Sequence, residues 1–207
     1  MPIGSGQHWW PWLAVLLVVL SGCGKPEPFT LEFPANTSLG DLAVVEDVNC
    51  FTCENGVEAL GPATGSYEVR LPAAHWYVSL DMPRKAAHLL AHLRHPSMTG
   101  LGMIDLRGSD VSDSDLANLA SIPLRYLYLN ETRVTGEGLR YVKAHPRWIR
   151  VDLTGCDRLE PEHLSHFRGW HQATIALPYP PGDSRRELAR MIICDGQPED
   201  ICKTQIR

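Results

Sequence analysis

Two cysteines three positions apart, Cys50 and Cys53, carry the most reactive chemistry in this sequence. A Cys-x-x-Cys pair can act as a redox dithiol, but such pairs usually begin a helix, whose end lowers the thiol pKa. Here residues 54–56 (Glu-Asn-Gly) follow the pair and predict a turn in a strand-rich region. Glu54 also stands where a haem-attachment motif needs histidine. Haem attachment is therefore excluded, and redox chemistry remains an alternative function.

Histidines recur at helical spacing in two segments. His88, His92 and His95 stand at i, i+4 and i+7 of a helix predicted over residues 84–95, so an α-helix would place them on one face. His163 and His166 repeat an i, i+3 spacing. Imidazoles so placed can bind zinc or copper, but no carboxylate on this helix completes the set. A solvated face is the preferred interpretation, metal binding is the alternative, and the buried stripe opposite is formed by Leu89, Leu90 and Leu93.

Sequence motifs of common enzymes are absent. The chain has neither a Gly-x-Ser-x-Gly elbow nor a glycine-rich phosphate loop. Asp105 and Asp152 lie on predicted strands that one further strand separates, roughly 10 Å apart, too far for the carboxylate pair of a retaining glycosidase. We expect a protein that is not an enzyme and that has neither a cofactor nor a metal ion.

One apolar pattern recurs between Leu101 and Leu177. It determines the fold of the segment that carries Asp105, Asp152 and the second pair of histidines. Its copies begin at Leu101, Leu124 and Trp148, roughly 23 to 24 residues apart, and a degraded fourth copy keeps Ile175 and Leu177. An alternation typical of strands with one buried face lies in each copy. The three alternations are Ile104-Asp105-Leu106, Leu127-Tyr128-Leu129 and Val151-Asp152-Leu153.

Each alternation is followed by a small turn residue, namely Ser109, Thr132 or Cys156. Apolar positions of a helical return then follow: Val111, Leu116 and Leu119; Val134, Leu139 and Val142; Leu159, Leu164 and Phe167. The segment resembles the leucine-rich repeat family. This resemblance implies an α/β fold, a short solenoid of three to four repeats with parallel strands and helical returns, and a buried Cys156. Such units bury their apolar faces only by stacking, so the flanking segments should cap both ends.

Helix signals agree with these units. Ser112-x-x-Asp115 is similar to a capping box, and Pro161 fits a first helical turn. Pro123 and Pro146 should end the returns. In the tail, Asp183 is predicted to cap a helix that runs to about Cys194, with one side formed by Leu188, Ile192 and the stem of Arg185.

The start of the chain has the pattern of a signal peptide followed by a lipidation motif. Residues 12–20 form an apolar run that is too short to span a bilayer and has the length of a signal-peptide core. Leu20-Ser21-Gly22-Cys23 follows and resembles the lipobox of bacterial lipoproteins. The resemblance implies a signal peptide at residues 1–22, lipidation of Cys23 and a tether at residues 23–28. Gly24, where aspartate would signal inner-membrane retention, favours the outer membrane.

Residues 29–83 predict a small β-rich module that serves as the N-terminal cap. Short apolar alternations between turn residues indicate strands at residues 29–33, 42–45, 67–71 and 76–80. Residues 84–177 then hold the leading helix and the repeat stack, and residues 178–207 hold the C-terminal capping helix and tail.

An extracytoplasmic location favours disulfides, and the four remaining cysteines allow three connectivities. Local pairing is preferred: Cys50 with Cys53 and Cys194 with Cys202.

The outward side chains of the predicted strands, which we name the strand face, form the surface most suited to binding. They are Met103, Asp105 and Arg107, then Tyr126, Tyr128 and Asn130, then Arg150, Asp152 and Thr154. Tyrosines beside arginines and aspartates have the composition of an interaction hot spot. The row is short, which suits a peptide or a loop of a protein partner. A net charge of −5 argues against nucleic acid, and a purely structural envelope lipoprotein is a further alternative.

Overall fold

The chain forms a mixed α/β fold around a mostly parallel sheet. A computed structural model describes residues 26–47, 56–146, 148–168, 170, 173–194 and 205–207. The strands in these residues are β1 (Phe29–Glu32), β2 (Asp41–Glu46), β3 (Val57–Pro62), β4 (Ser66–Val69), β5 (Trp76–Asp81), β6 (Leu101–Asp105), β7 (Pro123–Leu124), β8 (Tyr126–Tyr128), β9 (Lys143–Ala144), β10 (Ile149–Asp152), β11 (Ala173–Ala176) and β12 (Gln205–Ile206).

Eight of these strands form the central sheet, in the order β12-β11-β10-β8-β6-β5-β2-β3. Neighbours from β12 to β5 are parallel, whereas β2 pairs antiparallel with both β5 and β3. Strands β1 and β4 pair antiparallel in a small separate sheet, and β7 and β9 pair in parallel. The predicted α/β class with parallel strands is therefore confirmed.

The register of the parallel strands follows the sequence repeat. Ile104 on β6 pairs with Leu127 on β8, which pairs with Val151 on β10, and Val151 pairs with Ile175 on β11. All four side chains are fully buried. Equivalent positions of the copies thus lie side by side, because a shift by one residue would turn each apolar row towards solvent.

The returns between these strands are 3₁₀ helices. In the described residues the 3₁₀ helices are Ala87–Arg94, Pro96–Gly100, Asp115–Leu119, Glu137–Tyr141 and Pro161–Phe167. A 3₁₀ helix rises about 2.0 Å per residue against 1.5 Å for an α-helix, so a return of few residues spans more of the sheet. Pro161 lies in the first turn of its helix as predicted, and the Ser112 amide and hydroxyl both donate to the Asp115 carboxylate.

One hydrophobic core runs beneath the sheet from Leu31 to Ile193. Cys156 is buried as predicted, and so are the equivalent turn residues Ser109 and Thr132. The Thr132 hydroxyl and the Cys156 thiol both donate to the Leu129 carbonyl, at 2.7 and 3.0 Å. These bonds satisfy a buried carbonyl, which accounts for the small polar side chains at positions 132 and 156.

The β-rich module shares this sheet and this core with the repeats. Its strand β5 pairs in parallel with β6 and antiparallel with β2, so the two regions are continuous. Strand β3 was not predicted, since its residues Val57, Glu58 and Ala59 are exposed and show no alternation. It pairs with β2 at the edge of the sheet.

Helix α1 (Ser184–Cys194) follows β11 in the chain and packs on the 3₁₀ helix Pro161–Phe167. Asp183 caps α1 as predicted, because its carboxylate accepts the Arg185 amide at 2.8 Å. The predicted buried side was wrong by one position. Leu188 and Ile192 are partly exposed and Arg185 is exposed, while the buried residues are Ala189, Ile193 and Cys194.

Candidate functional site

Three neighbouring parallel strands bring the predicted strand face together in aligned rows. One row consists of Met103, Tyr126 and Arg150. The next row consists of Asp105, Tyr128 and Asp152. Because adjacent strands lie about 4.8 Å apart, side chains from different copies come into contact along each row.

Tyr126 is the centre of an aromatic cluster on this face. Its ring centroid lies 5.0 Å from that of Tyr77 and 4.7 Å from that of Trp148, the latter edge-on at 88°. The Tyr128 ring is stacked at 6.3 Å. Such pairs stabilise by about 0.5–1.5 kcal/mol beyond their buried area. The expected exposure of Tyr126 is wrong, since these rings leave only 1% of it accessible.

A buried carboxylate lies over this cluster. Asp47, just after β2, accepts a hydrogen bond from the Tyr126 hydroxyl at 2.8 Å and lies 3.5 Å from an Arg125 guanidinium nitrogen. Burial, together with the hydrogen bonds and the negative charge of Asp47, raises the pKa of Tyr126. Burial also raises the pKa of Tyr77. Both phenols therefore stay protonated and act as hydrogen-bonding groups at neutral pH.

An ion pair between Asp105, the last residue of β6, and Arg107, in the turn that follows, lies at one end of the second row. The Arg107 Nε donates to both Asp105 carboxylate oxygens at 2.9 and 2.8 Å, and the Arg107 amide donates to the same side chain. Asp105 is only 3% exposed, so the expectation that it faces solvent is wrong. Burial and the Asp105 charge raise the pKa of Asp81, the neighbouring residue on β5.

Tyr128 is the partly exposed aromatic residue of the strand face. The Arg107 guanidinium lies 5.5 Å above its ring, within the range of a cation–π contact. Burial raises the pKa of Tyr128, and the positive charge of Arg150 lowers it. The Tyr128 ring therefore contacts the Arg107 guanidinium and remains partly exposed to a partner.

The remaining positions form the rim of the face. Asp152 is partly exposed, and its Oδ1 accepts the amide of Thr154 at 3.0 Å and the hydroxyl of Thr154 at 2.6 Å. Met103, Asn130 and Arg150 are partly exposed, whereas Arg107 and Thr154 are exposed. The Asn130 Oδ1 and the Arg150 Nε are shielded, and neither has a hydrogen-bond partner among the residues that the structure describes.

Sequence reasoning missed Tyr77 and Asp47 as parts of this face. Tyr77 had a usable signal, because Tyr77, Ser79 and Asp81 alternate with the apolar residues of a predicted strand. Extending the row by one strand would have included them. Asp47 had no usable signal in the sequence, since it lies 79 positions from Tyr126 and follows the end of its strand.

The histidines are not brought together as an α-helix would have placed them. Their segment is a 3₁₀ helix with about three residues per turn, which turns His88 away from His92 and His95. All three are exposed, and the His95 Nδ1 lies 2.8 Å from the Ser97 hydroxyl. His163 bonds the Thr135 carbonyl at 3.2 Å instead. In the described residues no group of three His, Cys, Asp or Glu side chains is arranged to hold a metal ion.

The cysteines divide into two groups. Cys156 is a buried free thiol whose pKa is raised by burial, and Cys194 is buried at the end of α1. The lipidation candidate and three disulfide candidates lie outside the described residues: Cys23, Cys50, Cys53 and Cys202. The predicted pairings and the redox alternative stay predictions.

Comparison of the chain with family models, curated proteins and solved structures gives no significant match. None of the helices in the described ranges has the length and apolar character needed to cross a membrane.

Proposed function

We propose that this protein is a lipid-anchored protein of the bacterial cell envelope that binds a protein partner through the strand face. One observation supports it most directly. Tyr128 presents a partly exposed ring under the Arg107 guanidinium, stacked beside the buried ring of Tyr126, and the partly exposed Arg150 lies in the neighbouring row. Tyrosine and arginine on a rigid, desolvated base are the residue types that contribute most binding energy at protein interfaces.

The repeat resemblance supports a short leucine-rich repeat solenoid as the scaffold. A strand, a buried small turn residue and a helical return recur in three copies, and their strands pair in register. Each unit contacts its neighbours: the returns Asp115–Leu119 and Glu137–Tyr141 pack together, as do Glu137–Tyr141 and Pro161–Phe167. This nearest-neighbour stacking is the physical requirement of a solenoid.

Flanking strands and α1 serve as the caps of this stack. At one end β5, β2 and β3 extend the sheet beyond the first copy, and at the other end α1 packs against the last return. A three-copy stack gains stability from such covered ends, and it keeps the strand face rigid. A rigid binding face loses little conformational entropy when a partner binds.

The membrane anchor rests on the sequence alone. The lipobox-like Leu20-Ser21-Gly22-Cys23 supports lipidation at Cys23, and two or three acyl chains give a stable anchor. Residues 23–28 would then separate the folded part from the bilayer by a short tether, in an outer-membrane location. A partner reached from such a tether would be another envelope protein.

Photocrosslinking in living cells tests this function. A photoreactive amino acid replaces Tyr128 in one variant and the exposed Ala120, next to a helical return, in a control variant. We expect a specific crosslinked protein from position 128 and none from position 120. Equal crosslinking from both positions would contradict binding through the strand face.

A further inference from the structure

Three arginines lie at the strand face, and two of them already have a carboxylate partner. Arg107 is held by Asp105 through several hydrogen bonds, and Arg125 forms an ion pair with Asp47. Asp105 and Asp47 are 3% and 6% exposed. An incoming anion would have to break these pairs and leave a buried carboxylate uncompensated, which is strongly unfavourable.

Arg150 differs from both. Within the part of the chain that the structure describes, no carboxylate lies within 4.0 Å of its guanidinium and no side-chain hydrogen bond is made. Its Nε is shielded from solvent without an acceptor, while the residue as a whole remains partly exposed. An anion at the exposed part of this guanidinium would gain charge-assisted hydrogen bonds without breaking an existing pair.

The surroundings of Arg150 restrict the kind of anion. Arg150 stands in register with Tyr126 on one side and with Thr174 on the other, and its charge acts on the Tyr128 hydroxyl. Tyr126 is buried, so the partly exposed ring of Tyr128 is the aromatic surface near this cation that the chain carrying the anion can contact.

Carboxylates nearby argue against a polyanion. Asp152 lies two residues along the same side of β10, about 7 Å away, and Asp105 and Asp81 lie beyond Tyr128. The whole chain carries a net charge of −5. A nucleic acid or an anionic lipid surface would meet these charges, whereas a single carboxylate would meet Arg150 alone.

We propose that Arg150 receives one Asp or Glu carboxylate from an extended segment of the protein partner, whose flanking residues lie on Tyr128. This proposal rests on the proposed function, because it assumes that a protein binds the strand face. It adds the chemistry of the bound segment. A neutral or basic residue two positions from that carboxylate fits Asp152, since an extended chain repeats at the same spacing as β10.

A crosslinking variant that leaves Tyr128 and Arg150 intact tests the proposal. The full-length protein carries a photoreactive amino acid at Met103, in the row that contains Arg150. Crosslinking in living cells is followed by mass spectrometry of the joined peptide. Arg150→Gln is compared with Arg133→Gln, which removes the same charge from an exposed residue after the Thr132 turn.

We expect the joined peptide to contain an Asp or Glu, and Arg150→Gln to lower the crosslinked yield about tenfold while Arg133→Gln leaves it unchanged. Changing the partner's carboxylate to its amide should cause the same loss, with no added loss in combination with Arg150→Gln. Additive losses, equal yields for the two arginine variants, or a joined peptide that belongs to a second copy of this chain would overturn the proposal while leaving strand-face binding intact. No crosslink in any variant would overturn both.

A control for folding distinguishes a lost contact from a misfolded variant when the crosslinked yield falls. Arg150→Glu combined with the partner's carboxylate changed to Lys should restore the yield, because the charges are exchanged. Failure to restore it, although the purified Arg150→Glu protein unfolds at the same denaturant concentration as the unmodified chain, would also overturn the proposal.

Discussion

The Asp113 carboxylate, just before the 3₁₀ helix Asp115–Leu119, accepts the backbone amide of Gly138, in the 3₁₀ helix Glu137–Tyr141, at 2.8 Å. The same carboxylate accepts the amides of Gly136 and Thr135 at 3.1 and 2.9 Å and the Thr135 hydroxyl at 3.0 Å. One side chain thus binds three of the otherwise unpaired amides at the start of a helical return. This clamp couples two successive parts of the fold, each of which carries one 3₁₀ helix.

Asp113→Asn should lower the free energy of unfolding by about 2–3 kcal/mol, since an amide cannot accept all of these bonds and its NH₂ would face donors. Chemical denaturation of the purified protein measures the change. Asp157→Asn is the matched control, because Asp157 is exposed and the same charge is lost there. Equal stabilities of the two variants would show that the clamp contributes nothing.

The clamp also predicts a pH dependence. Burial alone would raise the pKa of Asp113, but the hydrogen bonds from Gly138, Thr135 and Gly136 outweigh burial and lower it. A carboxyl with a lowered folded-state pKa stabilises the fold above its unfolded pKa of about 3.9, and the contribution is lost as pH falls through the folded value. The stability difference between the native chain and Asp113→Asn should therefore be constant from about pH 7 to 5 and shrink below about pH 4. A difference that grows on acidification would contradict this.

Gly138→Ala should destabilise the protein by more than about 2 kcal/mol. A Cβ at this position would lie 2.4 Å from the Asp113 carbonyl oxygen and 2.7 Å from its Cα, both backbone atoms. Gly108→Ala serves as the comparison, because a Cβ there meets nothing within 4 Å and only the φ of +62° is strained. That strain costs about 1–2 kcal/mol. Equal denaturation midpoints for Gly138→Ala and Gly108→Ala would contradict the close contact between Gly138 and the Asp113 backbone.

Tyr126→Phe should cost about 1–3 kcal/mol of stability, because the buried Asp47 carboxylate loses its 2.8 Å hydrogen bond from the phenol. Tyr128→Phe provides the control on the same strand, since the Tyr128 ring is partly exposed and its hydroxyl has no hydrogen bond within the described structure. Thermal or chemical unfolding of both variants measures the effect. A larger loss for Tyr128→Phe would invalidate the assignment of Tyr126 as the buried centre of the face.

Cys23→Ser should release the protein from the membrane fraction of cells that express it. The hydroxyl cannot form the thioether that the lipobox resemblance implies, so no acyl chain would be attached. Fractionation, with the intact mass of the unmodified protein, measures this. A native chain that begins before residue 23 or that carries no lipid would rule out the anchor.

The sequence alone predicted the units and their alignment. Ile104, Leu127 and Val151 stand at equivalent places in the repeat, and a period-two pattern with one buried face permits only one register for them. Cys156 could be assigned to the core for the same reason, since it occupies the turn position of Ser109 and Thr132. Periodicity predicts strand register and burial because each whole row of apolar side chains must be buried together.

Periodicity could not predict what covers the strand face. The alternation assigned Tyr126 and Asp105 correctly to the outer side of the sheet. Asp47 and Tyr77 nevertheless cover Tyr126, and Arg107 pairs with Asp105. These contacts depend on how β2 and β5 extend the sheet, which is decided by tertiary packing. The 3₁₀ form of the returns was likewise hidden, because i, i+3 apolar spacing fits both helix types.

Crosslinking scanned across the strand face and the 3₁₀ returns tests the central claim most directly. Photoreactive residues at Tyr128, Arg107 and Thr154 sample the strand face, and residues at Ala120 and Arg140 sample the returns. We predict one protein partner captured from the strand-face positions and absent from the positions in the returns. Capture from the returns alone, or no capture from any strand-face position, would contradict binding through this face.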